Sequence, residues 1–384
     1  MYYLTYVAVS DEAAKTQLSF DDLFNPDGTL KSLENVPVYD RDVTYTHRTI
    51  KTTAIRPEYI EYLNRKNSVF NARFATRLAA YRGQDMQQHY ETFTIPKHSG
   101  GWRTINAPKE ELKELQRDIK DYLENAGVNP HTAAYAYVKH RSAKDAVIRH
   151  QRTEHTCYLK LDFSDFFGSC NKETIMRSLI QIPFFAYMAH TSAQTLNDML
   201  HIAMLNDGLP QGTPLSPWLT NQIMLPYDFE IAKTCNERII TYTRYADDML
   251  FSANNKTALH AAIKIVKDAI AGTNLRINDS KTRISTIYGK NWNLGLMTNK
   301  DNEITVGWRN KERARATLHN FILAPNSITP QQASEILGKW QYYRQIEPEY
   351  FDNLLNKYSA QAGYSVKDAL IKRIKGKRIR VLEV

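Results

Sequence analysis

"YTRYADDMLF", residues 242–251, sets two adjacent carboxylates, Asp247 and Asp248, between runs of strand-forming residues. Ile239-Ile240-Thr241-Tyr242-Thr243 leads in and Met249-Leu250-Phe251 leads out. β-branched and aromatic side chains of this kind suit a pleated, half-buried surface. Like charges in contact repel, and a desolvated carboxylate without a partner is costly. Two readings account for the doublet. In one it is a hairpin turn, where Asp is common and solvated. In the other a divalent cation lies against it, because hard oxygen ligands are what Mg²⁺ takes.

A second carboxylate cluster stands upstream in "LKLDFSDFFGSC", residues 159–170. Asp162 ends the alternating run Tyr158-Leu159-Lys160-Leu161, and Asp165 follows three residues later. Alone, Asp162 reads as a strand-end turn or a helix N-cap. Taken with the doublet it fits a two-metal phosphoryl-transfer site. There carboxylates from neighbouring strands bridge two cations about 3.5–4 Å apart. Such a site needs positioning and charge neutralisation more than covalent chemistry.

At 384 residues the chain exceeds one typical core, so two or three packed subdomains are expected. Hydrophobic residues make up 42% and charged residues 24%, the balance of an ordinary globular protein and not of a disordered one. The formal net charge is +9, with 50 Lys and Arg spread along the chain, which suits a polyanionic partner such as nucleic acid, or simply a basic protein. Cys157, Cys170 and Cys235 show no CxxC spacing, which argues against a disulfide framework and a zinc site. His150, His155 and Cys157 lie close together but lack a second ligand pair. "MYYLTYVAVSDEAAK" has neither the basic nor the long apolar region of a signal peptide. No stretch approaches the roughly 18 apolar residues of a membrane span. A cytoplasmic protein is expected.

Residues 1–50 are rich in turn formers and are expected to form an extension wrapped on the main body. Apolar spacing predicts a helix from Pro57 to about Tyr81. "HYETFTIPKHSGGWRTINAP" predicts a β-hairpin around Ser99-Gly100-Gly101, flanked by Lys97 and Arg103. A helix is expected from Pro108 to Gly127, with Pro108 in its first turn. Residues 171–205 read mostly helical, and "GLPQGTPLSPWLTNQIML" as a Gly/Pro-rich loop opening a helix. The Asp247-Asp248 hairpin, a helix over about 256–271, a strand pair within 275–308 and a basic helical C-terminal third complete the chain. Strands and helices alternate without βαβ spacing, so the fold class is α+β.

In chain order the motifs are "GGWRTINAPKEELKELQ", "YLKLDFSDFF", "GLPQGTPLSPWLTN", "TRYADDMLFS", "LRINDSKTRIS" and "NLGLM". This series, over about residues 90–345, resembles the reverse transcriptases, specifically the compact bacterial ones of the retron and defence-associated groups. The resemblance implies a right-hand polymerase. Its parts would be a 1–50 extension, fingers with part of the palm over 51–157, a palm over 158–295, and a primer-grip end with a helical basic thumb over 296–384.

It also implies roles for residues. Asp162, Asp247 and Asp248 match the metal-binding triad, with the Phe163 carbonyl completing one coordination shell and two Mg²⁺ as cofactor (Mn²⁺ as substitute). Phe167 matches the ring that excludes a 2′-hydroxyl, so the product is DNA; its neighbour Phe166 reads equally well as core. Lys97 and Arg103 match cations that grip the triphosphate, Arg through its bidentate fork. Gln211, Gly212 and Tyr245 would line the nucleotide pocket. Lys281 matches a lysine near the pyrophosphate, a candidate general acid, and reads otherwise as a partner of Asp279. Asn293 and Gly295 match the primer grip. Lys372, Arg373, Lys375, Lys377 and Arg378 would track a duplex backbone, or form a solvated helix end.

The departures are specific. Retron enzymes carry Asn-Ala-x-x-His before the first Asp motif; here "AVIRH" keeps His150. Their Val-Thr-Gly in the primer grip is Asn293-Leu294-Gly295 here. No maturase, zinc-finger or endonuclease region is expected after the thumb. The resemblance implies copying of a dedicated structured RNA into DNA from dNTPs, in antiphage defence, with an effector or toxin protein and a homo- or hetero-oligomeric assembly. Two alternatives stay open. One is a defence-associated enzyme outside the retrons, making template-independent or repeat DNA. The other is a non-catalytic RNA-binding scaffold.

Overall fold

The doublet lies in a tight hairpin, as its flanking runs predict. The structure is a computed structural model describing residues 57–97, 100–151, 155–289, 293–299 and 301–379. The extension expected over residues 1–50 lies outside the described residues.

In chain order the elements begin with α1 (Pro57–Ala79), the hairpin β1 (Tyr90–Pro96) and β2 (Trp102–Pro108), α2 (Glu110–Asn125) and the short α3 (Ala143–Ile148). Then come β3 (Cys157–Asp162), α4 (Lys172–Leu179), α5 (Pro183–Thr191), α6 (Ala193–Ala203) and α7 (Ser216–Asn236). The doublet's strands are β4 (Thr241–Tyr245) and β5 (Asp248–Ala253), followed by α8 (Lys256–Ala269). β6 (Arg283–Thr286), β7 (Met297–Thr298) and β8 (Ile304–Thr305) lead into four helices. These are α9 (Trp308–Leu323), α10 (Pro330–Ile346), α11 (Pro348–Ala362) and α12 (Val366–Ile374). The class is α+β.

The chain forms two compact units. Of the described residues, one comprises those up to Arg141, Leu159–Phe251 and Thr257–Arg283; the other comprises those within Ser142–Tyr158, Ser252–Lys256 and from Ile284 onward. In the first, Phe70 and Phe74 of α1 pack at 4.8 Å between ring centroids, and Phe70 meets Tyr122 of α2 at 5.6 Å. α2 buries Leu112, Leu115, Ile119 and Leu123, one apolar stripe at helical spacing. It starts at Glu110, and Pro108 closes β2 instead of opening the helix. That corrects the sequence expectation: with no N–H, proline suits a strand end as well as a first helical turn. α7 is buried nearly all round, so its sequence carries almost no amphipathic period.

The sheet runs β4-β5-β3-β6, which makes β5 and β3 hydrogen-bonded neighbours. β3 is buried throughout except at Lys160. Ile239, read as part of the strand before the doublet, lies outside β4 with φ +57 and its side chain exposed.

The second unit is built on the helices α9 to α12. Phe321, Trp340, Phe351, Leu354, Tyr358 and Leu370 form its core, and Trp340 Nε1 donates to the Phe351 carbonyl at 3.2 Å. Within 275–308 the structure has β6, which joins the sheet beside β3, and the two-residue strands β7 and β8, paired antiparallel. His150 and His155, the neighbours of Cys157, are buried and use their ring nitrogens internally: each Nδ1 lies 2.8 Å from Ser252 Oγ. The three cysteines are free and buried.

This cluster sets a pH dependence. Burial, reinforced by the nearby His155 and Arg149, pushes the His150 imidazole down to about 3. The unfolded chain takes up a proton near its ordinary value of about 6.5. Below that pH the unfolded state binds more protons than the native one. The contribution is therefore intact above about pH 6.5 and lost, at roughly 1.4 kcal/mol per pH unit, as the pH falls towards 3. Urea midpoints from pH 7 to 4.5 are expected to fall less steeply in His150→Gln than in the wild type; parallel curves would refute the assignment.

Candidate active site

β3 and the β4–β5 hairpin bring the acidic residues together. Asp162 is the last residue of β3, Asp247 lies in the two-residue hairpin turn, and Asp248 opens β5 on the neighbouring strand. The Phe163 N–H donates to the Asp247 carbonyl at 3.4 Å, tying the end of β3 to the turn. Burial pushes the Asp247 carboxyl above the usual carboxylate range, with repulsion from Asp248 and Asp162 adding to it. Burial raises Asp248 as well, with Lys160 opposing the shift and Asp162 adding to it.

Two ammonium groups partly balance this charge. Lys281 Nζ is 2.9 Å from Asp162 Oδ1, and Lys160 Nζ is 2.7 Å from Asp248 Oδ1. Lys281 therefore pairs with Asp162, and it is Lys267 that lies 3.6 Å from Asp279. The hydrogen bond to Asp162 raises the Lys281 ammonium. Among the described residues no three His, Cys, Asp or Glu side chains form a ready-made metal cage. The donor set nonetheless suits a hard divalent cation: oxygen-only, mutually repelling and partly desolvated. Two of its carboxylates carry a lysine partner each.

The turn itself is strained and held. Ala246 has φ +57, a conformation L-residues enter at a cost of roughly 1–2 kcal/mol. Its carbonyl accepts from Arg244 Nη1 at 3.0 Å. Arg244 and Asp228 of α7 are both fully buried and form a fork, Nε to Oδ1 at 2.9 Å and Nη2 to Oδ2 at 2.7 Å. The Tyr242 hydroxyl donates to Asp228 Oδ1 at 2.7 Å. Burial opposes the Arg244 charge, but Asp228 outweighs it and holds the guanidinium above its usual value.

The residues expected around a nucleotide are in this same unit. Phe166 is core, while Phe167 is half-buried, so the two readings separate: the ring that can meet a ligand is Phe167. The Phe167 carbonyl accepts from Leu209 N–H at 3.0 Å, which ties it to the loop of Gln211 and Gly212. The Gln211 carbonyl in turn accepts from Asn106 N–H of β2 at 2.8 Å. Gly212 has φ +110, and a Cβ built there would sit 2.6 Å from Ile105 Cγ2 and 3.2 Å from the Asn106 carbonyl oxygen. The glycine thus admits strand β2. Arg103 shares the Ile105 face of that strand, by its two-residue spacing, and is exposed, as is Lys97. Tyr245 is half-buried at the end of β4.

Gly212→Ala must meet both strains, about 1–3 kcal/mol for the backbone alone. With the loop lining a nucleotide pocket, as the resemblance implies, it is expected to raise the KM for dNTP at least tenfold and to lower Tm by several degrees. Ile105→Ala should restore part of both. Gly295→Ala serves as control, since its φ is +79 with nothing within 4 Å. Equal effects at the two glycines in steady-state kinetics and melts would overturn the packing argument.

The remaining expected residues lie in the second unit. Asn293 pairs with Leu296 across a two-residue turn, N–H to carbonyl at 2.7 and 2.9 Å. Leu294 and Gly295 have φ +53 and +79, the left-handed pair of a tight hairpin. Lys372, Lys375, Lys377 and Arg378 are exposed. Arg373 is not a solvated cation of that series. Its Nη2 donates to the Ile328 carbonyl at 2.6 Å and its Nη1 to the Lys377 carbonyl at 3.3 Å, closing the end of α12.

Sequence reasoning passed over four residues near the triad. Lys160 and Arg244 were visible as charges in otherwise buried strands, and Asp228 as a carboxylate within an apolar helix. Tyr137 had no such signal. The segment 133–136 runs beside β4, with Tyr135 N–H to the Arg244 carbonyl at 2.8 Å and Arg244 N–H to the Ala133 carbonyl at 2.7 Å. Asn221 Nδ2 holds the Ala136 carbonyl at 2.8 Å. Tyr137 then turns with φ +60 and stays half-exposed, its phenol raised by burial and by Asp247 and Tyr245.

Residues 95–338 match the family model described as reverse transcriptase (RNA-dependent DNA polymerase). The Retron Ec83 reverse transcriptase of Escherichia coli is 28% identical over 294 residues, 73% of this chain and 90% of that relative. The Retron Mx65 reverse transcriptase of Myxococcus xanthus is 30% identical over 291 residues, 72% of this chain and 66% of that relative. Retron Ec73 reverse transcriptase of Escherichia coli is 28% identical over 274 residues, 69% of this chain and 85% of that relative. The family model spans well over half the chain and its matched stretch holds the triad, the Gln211–Gly212 loop and Arg103: the chain belongs to the reverse transcriptases, the RNA-dependent DNA polymerases.

Proposed function

We propose that this RNA-directed DNA polymerase copies a dedicated structured RNA into DNA at the Asp162, Asp247 and Asp248 site, with two Mg²⁺ as cofactor, in antiphage defence. The observation that carries the site assignment is the meeting of three partly buried, mutually repelling carboxylates at the join of β3 and the β4–β5 hairpin. Bound there, divalent cations supply charge neutralisation for an attacking hydroxyl and a leaving pyrophosphate.

The chain's own groups do the rest. Asp162, Asp247 and Asp248 hold the cations, with the Phe163 carbonyl beside them. Arg103 and Lys97 bind the triphosphate, and Gln211, Gly212 and Tyr245 shape the nucleotide pocket. Phe167 excludes a 2′-hydroxyl by bulk, which selects dNTPs. Lys281, beside Asp162, gives a proton to the departing pyrophosphate. Asn293, Gly295 and the exposed Lys372, Lys375, Lys377 and Arg378 contact the primer–template. The similarity to the retron reverse transcriptases supports RNA-directed DNA synthesis, and the dedicated RNA, the defence role and its effector protein belong to the proposal.

The test is to purify the protein from its native locus and sequence the nucleic acid bound to the wild type and to Asp247→Ala/Asp248→Ala. A defined RNA paired or joined to complementary DNA, absent in the variant, is expected. DNA unrelated to any bound RNA would replace templated copying by untemplated synthesis, and RNA without DNA in both samples would leave a binding scaffold. Phage challenge of cells carrying the two versions tests the defence role.

A further inference from the structure

Lys160 belongs to the site by position and by contact. It alternates with Leu159 and Leu161, so it shares with Asp162 the face of β3 that carries the triad. Both neighbours are buried, and the Lys160 side chain is itself only 28% exposed. Its Nζ stands 2.7 Å from Asp248 Oδ1 on the adjacent strand and hydrogen-bonds that carboxylate. Lys281 differs: its side chain is 58% exposed and it approaches from the loop after α8. It can swing clear of Asp162, whereas Lys160 is anchored mid-strand and can only retract along its own stem.

A long amphipathic cation next to a paired-aspartate site has a specific consequence. Its ammonium and an incoming divalent ion are drawn to the same carboxylate oxygen and repel each other at a few ångströms, in a partly desolvated setting where such terms are strong. We infer that Lys160 is a resident counter-ion that neutralises Asp248 until a divalent cation displaces it, so that it sets the metal affinity of the free enzyme. The inference rests on the proposed metal role of the triad. Held this way, Asp248 is kept from repelling Asp247 and Asp162, and the site binds metal firmly only when further ligands arrive with the nucleotide.

The test is Mn²⁺ binding to the full chain freed of nucleic acid, followed by the electron paramagnetic resonance of free Mn²⁺. Lys160→Met is expected to bind Mn²⁺ about tenfold more tightly than the wild type, from loss of one nearby positive charge. Lys160→Arg, which keeps that charge, should stay near wild-type affinity. Should the methionine variant fail to fold, Lys160→Gln carries the same expectation. Unchanged or weaker Mn²⁺ binding in the folded neutral variants would overturn the inference and make the pair a structural clasp. Asp247→Ala/Asp248→Ala separates the two readings: if it binds Mn²⁺ as the wild type does, the metal role of the triad fails first.

Discussion

Asp247→Asn is expected to lower primer extension on an RNA template by at least about 10³-fold, roughly 4 kcal/mol of transition-state stabilisation, while leaving the metal-free protein as stable as the wild type or more so. The two halves of this result come from one cause. Burial, with Asp248 and Asp162 nearby, raises the Asp247 carboxyl, so its charged form costs the fold stability. For a carboxylate raised by folding, the native state binds protons more readily than the unfolded one, and stability falls as pH rises through its titration. A neutral amide of the same shape removes that cost and with it a hard anionic ligand. Melts without divalent ion, at pH 6 and 8, beside single-turnover extension, give both readouts. An inactive variant with a lower Tm at pH 8 would instead make Asp247 a structural residue. Retained activity would move the chemistry elsewhere.

The legible part of the molecule was the part whose local pattern and chemistry agree. The alternating run into Asp162 is a period-two signal and the runs around Asp247 and Asp248 are continuous strand-forming stretches, all ended by turn residues, and all three strands are present. The stripe of α2 was equally plain because one face is buried and the other wet. What stayed hidden was set by distant contacts. Gly212 was read as a residue of close approach, but the partner, β2 at Ile105 and Asn106, is over a hundred positions away and leaves no mark on the local sequence. The cation at Asp248 was in plain view as Lys160, yet strand alternation alone does not say which neighbour a side chain faces. Only the β5-β3 adjacency does. Arg373 sat within a run of basic residues and was grouped with them, although one of that run closes its own helix. A charge run records composition, not which member has found a carbonyl.

The same limit governs the largest stability effect. The local sequence around Arg244 assigns it no role, because the carboxylate that explains it stands sixteen residues earlier on α7. Asp228→Ala leaves a fully buried guanidinium without its anion and the Tyr242 hydroxyl without its acceptor. A loss of about 3–5 kcal/mol is expected, and at roughly 2–4 °C per kcal/mol a fall in Tm near 10 °C. The pair is not expected to be a net source of stability. Desolvating both charges offsets most of their attraction, so Asp228→Leu/Arg244→Met should recover most of the lost Tm. Activity should not recover with it. Arg244 Nη1 is the donor that holds the Ala246 carbonyl at φ +57, and an apolar replacement leaves the turn carrying Asp247 free to relax. A displacement of about 1 Å at a reacting centre costs on the order of 10²-fold in rate. Melts and primer extension on the single and double variants therefore separate the two duties. A double variant that regains stability and activity together would show that the ion pair only fills space. One that regains stability alone would place it among the groups that aim the aspartates of the proposed metal site.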